Sequence, residues 1–520
     1  MKKNFYYDLF ILNENLIDDW IKYFFWPVTP QKTQNILNKI LDIYFKIVEE
    51  EKNQFFKSCL ITYNHTWNPY IVLYNYILLK EQVVAKKCNI KFSDNSNVMN
   101  YLFKKTNKFP LIIESFHYEK KFLRTIKDKI KTIFYNFKNF KFDISKEIYA
   151  INNEDIIKDE YIKKIKNWTE IVSIESLISS DKHFEKETFK KFKQKIDIIH
   201  SKNIYFAKKK LNIQIPEFVD SGILDYQYKY YKNIFCFLSN LSKNKRIKNC
   251  SKFFFDAPKT PIRAISCVVK NNGGKPVGLP HGSWICPTMS KRPHYNEFLF
   301  YDEFVVFNKA QISLFKLNLK KNSKKNIKFL SQDSNIFYKY KKNYEFNLPR
   351  KIKSVMILEL QLWCDDIRFE LPETMILYEF YFYLCTVLTS LGYKIFFKKR
   401  PKSKKLNKFN FFKKFANLEI VEGDIQDPKV MGLANTVIFQ YGLSSAFIPL
   451  ICSNIKLIYI DCGFDNWNKS LLTSLRKRCN FVKANFDKRN RIRLNVKHLI
   501  RALENKKRNL NEEFFKKYLT

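Results

Sequence analysis

Glycine is scarce in this chain, with ten residues in 520, and none occurs between residues 100 and 215. Four of the ten, Gly273, Gly274, Gly278 and Gly282, fall within ten positions. A sequence this sparing uses glycine where a positive φ or a close backbone approach is required. Cysteine pairing is missing too. The eleven cysteines are odd in number and dispersed, no C-x-x-C occurs, and no Cys/His spacing matches a zinc site. Most sit in apolar runs, as Cys267 and Cys385 do, which points to buried free thiols in a reducing compartment. The N-terminus lacks the uninterrupted apolar core of a signal peptide, so export is not expected. The longest apolar run, Met375–Leu391, carries Glu379 in its middle and is short for a membrane span. It reads as a helix buried between layers.

Acidic residues are also in short supply: 50 against 93 Lys plus Arg, a formal net charge of +43. The lysines are spread along the whole chain among Asn, Ile, Phe and Tyr, so solvated helix faces account for most of them and no specific nucleic acid is expected. An anionic partner, either a phosphorylated substrate or the inner membrane surface, accounts for the rest. Hydrophobic content of 46% and aromatic content of 17% exclude disorder for most of the chain. The length corresponds to about two to four domains.

The stretch 253–282 reads as a strand (253–255), a turn, a helix (262–270), a Gly-Gly stop and a second strand ending in Pro-His-Gly. Residues 1–50 are amphipathic at helical spacing. An apolar strand is expected over 58–63, which would place His65 at its carboxyl end ahead of a helix opened by Pro69. Residues 100–215 read as mostly helical. Residues 317–353 are basic, poor in period, and fit an interdomain connection. The second half alternates: strands at 354–360, 393–399, 418–423, 435–440 and 456–461 are interleaved with helices, the first of these stopped by Gly392. Such alternation predicts a parallel, doubly wound sheet. Residues 486–520 read as a helical tail.

Ligands in open α/β sheets bind at the carboxyl ends of strands, which makes His65, Asp256, His281-Gly282, Glu359, Lys398–Lys402, Gln440–Ser445 and Asp461 the candidates. In the turn at 440–445, Gly442 would let the backbone approach a phosphate, and Ser444 and Ser445 would stand at a helix start. The alternative is that Ser444 caps its own helix. Alternation sends Lys398 and Arg400 to one side, where a guanidinium can grip a diphosphate, unless these are solvated loop charges. His281 suits deprotonation of an acceptor hydroxyl or a hydrogen bond to phosphate; otherwise it is a structural histidine. Asp256 is either a helix cap or a carboxylate in the cleft.

The stretches VGLPHG (277–282), FFKKRPK (396–402) and TVIFQYGLSSAFIPL (436–450) occur in an order that resembles glycosyltransferases of the GT-B fold. The similarity is to bacterial enzymes that assemble capsule and lipopolysaccharide, and to the related glycerophosphotransferases of teichoic acid synthesis. It covers about residues 250–485.

The resemblance implies an α/β fold of two doubly wound Rossmann-like domains, with a helix-rich N-terminal extension and C-terminal helices. The expected division is an acceptor-side domain at 1–345 with helical insertions at about 100–215, a donor-binding domain at 350–485, and a tail at 486–520. The implied activity is metal-independent transfer of a sugar from a nucleotide-sugar, bound as substrate with no cofactor, to a polysaccharide or lipid-linked saccharide. His281, Asp256 and His65 would be catalytic, and Gly282, Lys398, Arg400, Lys402, Tyr441, Gly442, Ser444 and Ser445 would hold the donor. A cytoplasmic location, peripheral at the inner face of the plasma membrane, would follow. Two alternatives stand beside it: transfer of glycerol- or ribitol-phosphate on a similar fold, and a basic binding protein without catalysis. One departure is visible. Many such enzymes hold the donor ribose with a Glu in the helix after the Gly/Ser turn, and AFIPLICSN (446–454) has no acid.

Overall fold

The computed structural model describes residues 4–12, 15–63, 68–112, 147–150, 169–172, 184–255, 259–279, 298–322, 326–331, 336–346, 353–360, 372–400, 412, 414–442, 446–505 and 511–519. A short parallel pair, β1 (Asn4–Tyr6) and β2 (Asn89–Lys91), precedes two larger sheets. The first larger sheet comprises β3 (Glu147–Ala150), β4 (Thr169–Val172), β5 (Lys252–Phe255), β6 (Lys275–Gly278), β7 (Glu303–Val306) and β8 (Lys328–Ser331). Its order is β4-β3-β5-β6-β7-β8 and every pairing is parallel.

The second comprises β9 (Ser354–Leu358), β10 (Lys394–Lys398), β11 (Leu418–Val421), β12 (Thr436–Phe439), β13 (Lys456–Asp461), β14 (Asn480–Phe486) and β15 (Ile492–Leu494). Its order is β11-β10-β9-β12-β13-β14-β15, parallel except for the antiparallel β15. In both sheets the winding starts inside and proceeds to both edges, which is the doubly wound arrangement.

Burial follows the two-residue period of a strand. Phe253 and Phe255 enter the large core, while Phe254 joins Val277, Leu279 and Val305 on the opposite face. In the second sheet, Val355, Ile357, Ile395, Phe397, Ile438 and Ile458 pack beneath helix Thr374–Ser390. Met356, Phe396, Val437, Phe439 and Leu457 pack against helices Phe447–Cys452, Lys469–Arg478 and Glu513–Tyr518. Covering both faces is what makes these strands read as continuous apolar runs.

Helix 374–390 ends where expected, at Gly392 with φ +73°. Its internal charge, Glu379, is buried and receives both arms of the Arg493 guanidinium from β15, at 2.9 and 2.6 Å. Among the described residues, no helix is long and apolar enough to cross a membrane.

Several local expectations are corrected. Residues 58–62 belong to a helix, Gln54–Thr62, capped at its end by Tyr63 and opened by Asn53, whose Oδ1 accepts from Phe56 N at 3.0 Å. It packs against helices Thr260–Asn271 and Glu217–Leu241, and the consecutive buried residues Ser58, Cys59 and Leu60 blur the helical period. His65 therefore does not follow a strand. The stretch 100–215 holds helix Lys186–Phe206 but also β3 and β4, each of four residues and too short for a period to show.

The segment 317–353 is not a bare connection: β8 extends the first sheet, and helix Ile336–Asn343 buries Phe337. β14 adds a sixth strand to the second sheet, and β15 lies in the tail where only helices were expected. The N-terminal segment, beyond its helices Ile17–Tyr23 and Pro30–Glu50, also contributes β1. It reaches the second half of the chain, where Trp26 N donates to Arg489 O at 2.9 Å and Thr33 Oγ1 to Glu373 Oε1 at 2.5 Å.

Candidate functional site

Numbered within the second sheet, the strand order is 3-2-1-4-5-6 plus the antiparallel strand. The chain leaves β9 toward β10 on one side and later returns to β12 on the other. Connections that diverge in this way open a crevice at the carboxyl ends of the two central strands. The residues at that point are Glu359 and Leu360 after β9, and Gln440, Tyr441 and Gly442 after β12.

Tyr381, on helix 374–390, ties the two ends together. Its hydroxyl accepts from Leu360 N at 2.7 Å and from Gln440 Nε2, and donates to Leu358 O at 3.4 Å. Full burial raises the phenol's pKa well above its ordinary value, so it stays neutral and can both donate and accept.

The exit of β10 carries Lys398-Lys399-Arg400. Lys398 is only 4% exposed and donates its ammonium to Lys399 O. Burial pushes its pKa down, opposed by the charges of Asp424, Glu359 and Glu422. Lys399 faces Glu422, with Nζ 3.6 Å from Oε1. Arg400 is exposed, and its main-chain N donates to Glu359 Oε2 at 2.8 Å. The expected pairing of Lys398 and Arg400 on a ligand-facing side is corrected: Lys398 is turned inward among carboxylates from two strand exits, and Arg400 faces outward. Lys402 lies outside the described residues.

At the exit of β12, Gly442 serves packing. A methyl group there would stand inside the Trp467 indole. The Gly442 amide donates to Asp465 Oδ2 at 3.0 Å, and the same oxygen accepts from the Tyr459 hydroxyl. Trp467 Nε1 completes the set by donating to the Tyr459 hydroxyl oxygen at 3.4 Å. Gly442 is therefore needed to make room for the indole, and its N–H is already engaged. The following helix, Phe447–Cys452, has six residues, too few for a substantial dipole. Ser444 and Ser445 lie outside the described residues. Tyr441 is buried at 8% exposure, beside the crevice.

In the first sheet the strand order is 2-1-3-4-5-6, which places the corresponding divergence between β3 and β5. Arg263, on the helix after β5, is buried and donates to Tyr63 O at 2.9 Å. This brings the end of helix 54–62 to the start of helix 260–271. Asp256, His65, His281 and Gly282 lie outside the described residues.

Sequence reasoning pointed to Glu359, Lys398, Arg400 and the 440–442 turn, and the sheet brings these to one edge. It missed Tyr381, Asp465 and Trp467. The run DCGFDNWN (461–468), at the carboxyl end of β13, held a signal for the last two. Tyr381 has none, because a tyrosine within an apolar helix looks like any other core residue.

No family profile matches the chain, and no curated protein matches it significantly. Among solved structures it is similar to a trehalose-6-phosphate synthase studied with bisubstrate glycomimetics, at 9% identity over 72% of this chain and 93% of that one, TM-score 0.35. A glycosyltransferase from Rickettsia africae ESF-5 follows at 10% identity, 72% and 86% coverage, TM-score 0.33. A variant of the wall teichoic acid polymerase TagF gives 12% identity, 65% and 78% coverage, TM-score 0.24. Superpositions this loose carry no weight for activity.

Proposed function

We propose that this chain is a GT-B-type glycosyltransferase that moves a sugar from a nucleotide-sugar to a polysaccharide or lipid-linked acceptor. The observation that carries the reading is the reversal of strand order at β9 and β12, the point where sheets of this kind bind ligands, with the exposed Arg400 one strand away and a buried frame of Tyr381 and Gln440. The first glycine-free strand exit of this sheet, residues 359–373, argues against a dinucleotide, whose pyrophosphate needs a glycine-rich first turn.

In the proposed reaction the bond between the anomeric carbon and the donor's phosphate oxygen breaks, and the acceptor hydroxyl oxygen bonds to that carbon. The hydroxyl proton passes to a base from the first half, with His281 the first choice and Asp256 and His65 behind it. The leaving phosphate takes the bonding electrons and meets Arg400, assisted by Lys402, Ser444 and Ser445. Independence of metal, the absence of a further cofactor and a place at the cytoplasmic membrane face belong to the same proposal.

The test is thermal unfolding of the full chain with UDP-, GDP-, CMP- and CDP-linked sugars. Ligand at 100 times Kd stabilises by about 2.7 kcal/mol, a rise of several degrees. The reading requires such a rise with at least one donor, and its loss in Arg400→Ala. A chain indifferent to all four donor classes would sink it.

A further inference from the structure

The point where β10 leaves the sheet is held by a side chain of its neighbour. The β9–β10 ladder ends with Leu358 opposite Lys398. Beyond it, Glu359 N donates to Lys398 O at 3.0 Å, and Lys399 N to Val421 O at 2.9 Å. The next amide, that of Arg400, is received by the Glu359 carboxylate, with Oε2 at 2.8 Å. Glu359 is only 8% exposed. A largely buried carboxylate accepting a main-chain N–H makes a charge-assisted bond, shorter and stronger than a neutral one. From the other side, the proline at position 401 confines Arg400 to extended conformations. The backbone of Arg400 is thus constrained at both its N–H and its ψ, while its side chain is exposed at the edge of the crevice.

Local charge gives the second half of the inference. Among the described residues, Lys398 is set among Glu359, Glu422 and Asp424 and Lys399 faces Glu422, while Arg400 meets Glu359 through its main-chain N–H. What Arg400 adds to the affinity for an anionic ligand then depends on the direction in which its exposed guanidinium points. We propose that Glu359 is a positioning residue: it aims Arg400 at the phosphate of the incoming ligand. This rests on the functional reading above.

Charge and position predict opposite signs, which makes the idea testable. If Glu359 acted only as a negative charge, both Glu359→Ala and Glu359→Gln would bind anions more tightly. If it positions Arg400, Glu359→Ala weakens binding by about tenfold, whereas Glu359→Gln, which keeps an acceptor oxygen, retains the affinity. In an Arg400→Ala background the alanine change at 359 has no further effect, because coupled residues are not additive.

The measurement is titration calorimetry of the full chain with UDP, GDP, CMP and inorganic pyrophosphate, with circular dichroism to confirm folding. Should Glu359→Ala not fold, Glu359→Asn, too short to reach the Arg400 amide, is expected to show the same loss. Wild-type chain that binds none of the probes overturns the functional reading and this inference together. Wild-type binding that Glu359→Ala leaves equal or stronger overturns this inference alone.

Discussion

The Tyr381 hydroxyl receives the side-chain amide of Gln440 at the point where the second sheet reverses its winding, and from there it also bonds the main chain on both sides of Glu359. One phenol therefore joins a helix to the exits of two strands that are remote in sequence. Tyr381→Phe leaves the Leu360 N–H and the Gln440 amide without that acceptor. Unsatisfied buried donors cost about 1–3 kcal/mol each, so urea unfolding is expected to show a loss in that range. Tyr381→Phe combined with Gln440→Leu is expected to recover part of it. A phenylalanine variant as stable as the parent would show that the strand ends need no such tie.

Glu379 and Arg493 make the second prediction. The carboxylate is 1% exposed, and the guanidinium also lies 4.6 Å from the Tyr383 ring centroid. Removing one partner strands a buried charge, whereas removing both does not. Arg493→Met is expected to destabilise by roughly 3–5 kcal/mol, and the double change Glu379→Met with Arg493→Met by much less. Equal losses in the single and double variants would mean that the pair acts through packing alone.

The third concerns pH. Burial of Glu373 raises its carboxyl from 4.5 to about 7, with the Thr33 hydroxyl and the Trp26 side chain pulling the other way. A folded-state pKa above the unfolded one means that the folded chain holds the proton longer. The contribution is fully present below about pH 4.5 and is lost as pH rises through about 7, an amount of roughly 3 kcal/mol. Glu373→Gln keeps an acceptor for Thr33 and has no charge to bury. Its stability relative to wild type, followed by chemical denaturation from pH 4 to 8, is expected to increase across that window. A difference that stays flat with pH would show that the carboxyl ionises freely in the fold.

Much of the second sheet was legible. Strands such as SVMIL, KIFFK, TVIF and KLIYID are apolar on both faces, and between them stand the polar and proline residues that end strands and open helices. What could not be read were elements whose local signal is weak or two-valued. The helix 54–62 looks like a strand because its second half, SCLIT, is a short, mostly buried run; β3, β4 and β8 mix Glu, Thr, Lys and Ser into four-residue strands; and β14 alternates buried Val482 and Ala484 with exposed Lys483 and Asn485 inside a basic run. The site divided in the same way. Positions 359, 398–400 and 440–442 follow from the ends of legible strands. Which of Lys398 and Arg400 faces outward depends on Glu359, Glu422 and Asp424, contributed by two other strand exits.

By itself, the sequence determined that apolar strands would be buried on both faces and that the polar residues after them would collect along one edge, since parallel strands all end on the same side. Only the tertiary structure decided which of those ends are neighbours. Hydrogen bonding placed β9, first in the chain, between β10 and β12, and so set Glu359 and Gln440 on either side of one crevice. The pairing of strands is a long-range choice made by the whole core, and no stretch of sequence encodes it locally. The same choice brought Trp467 onto Gly442, turned Lys398 inward and left Arg400 at the edge.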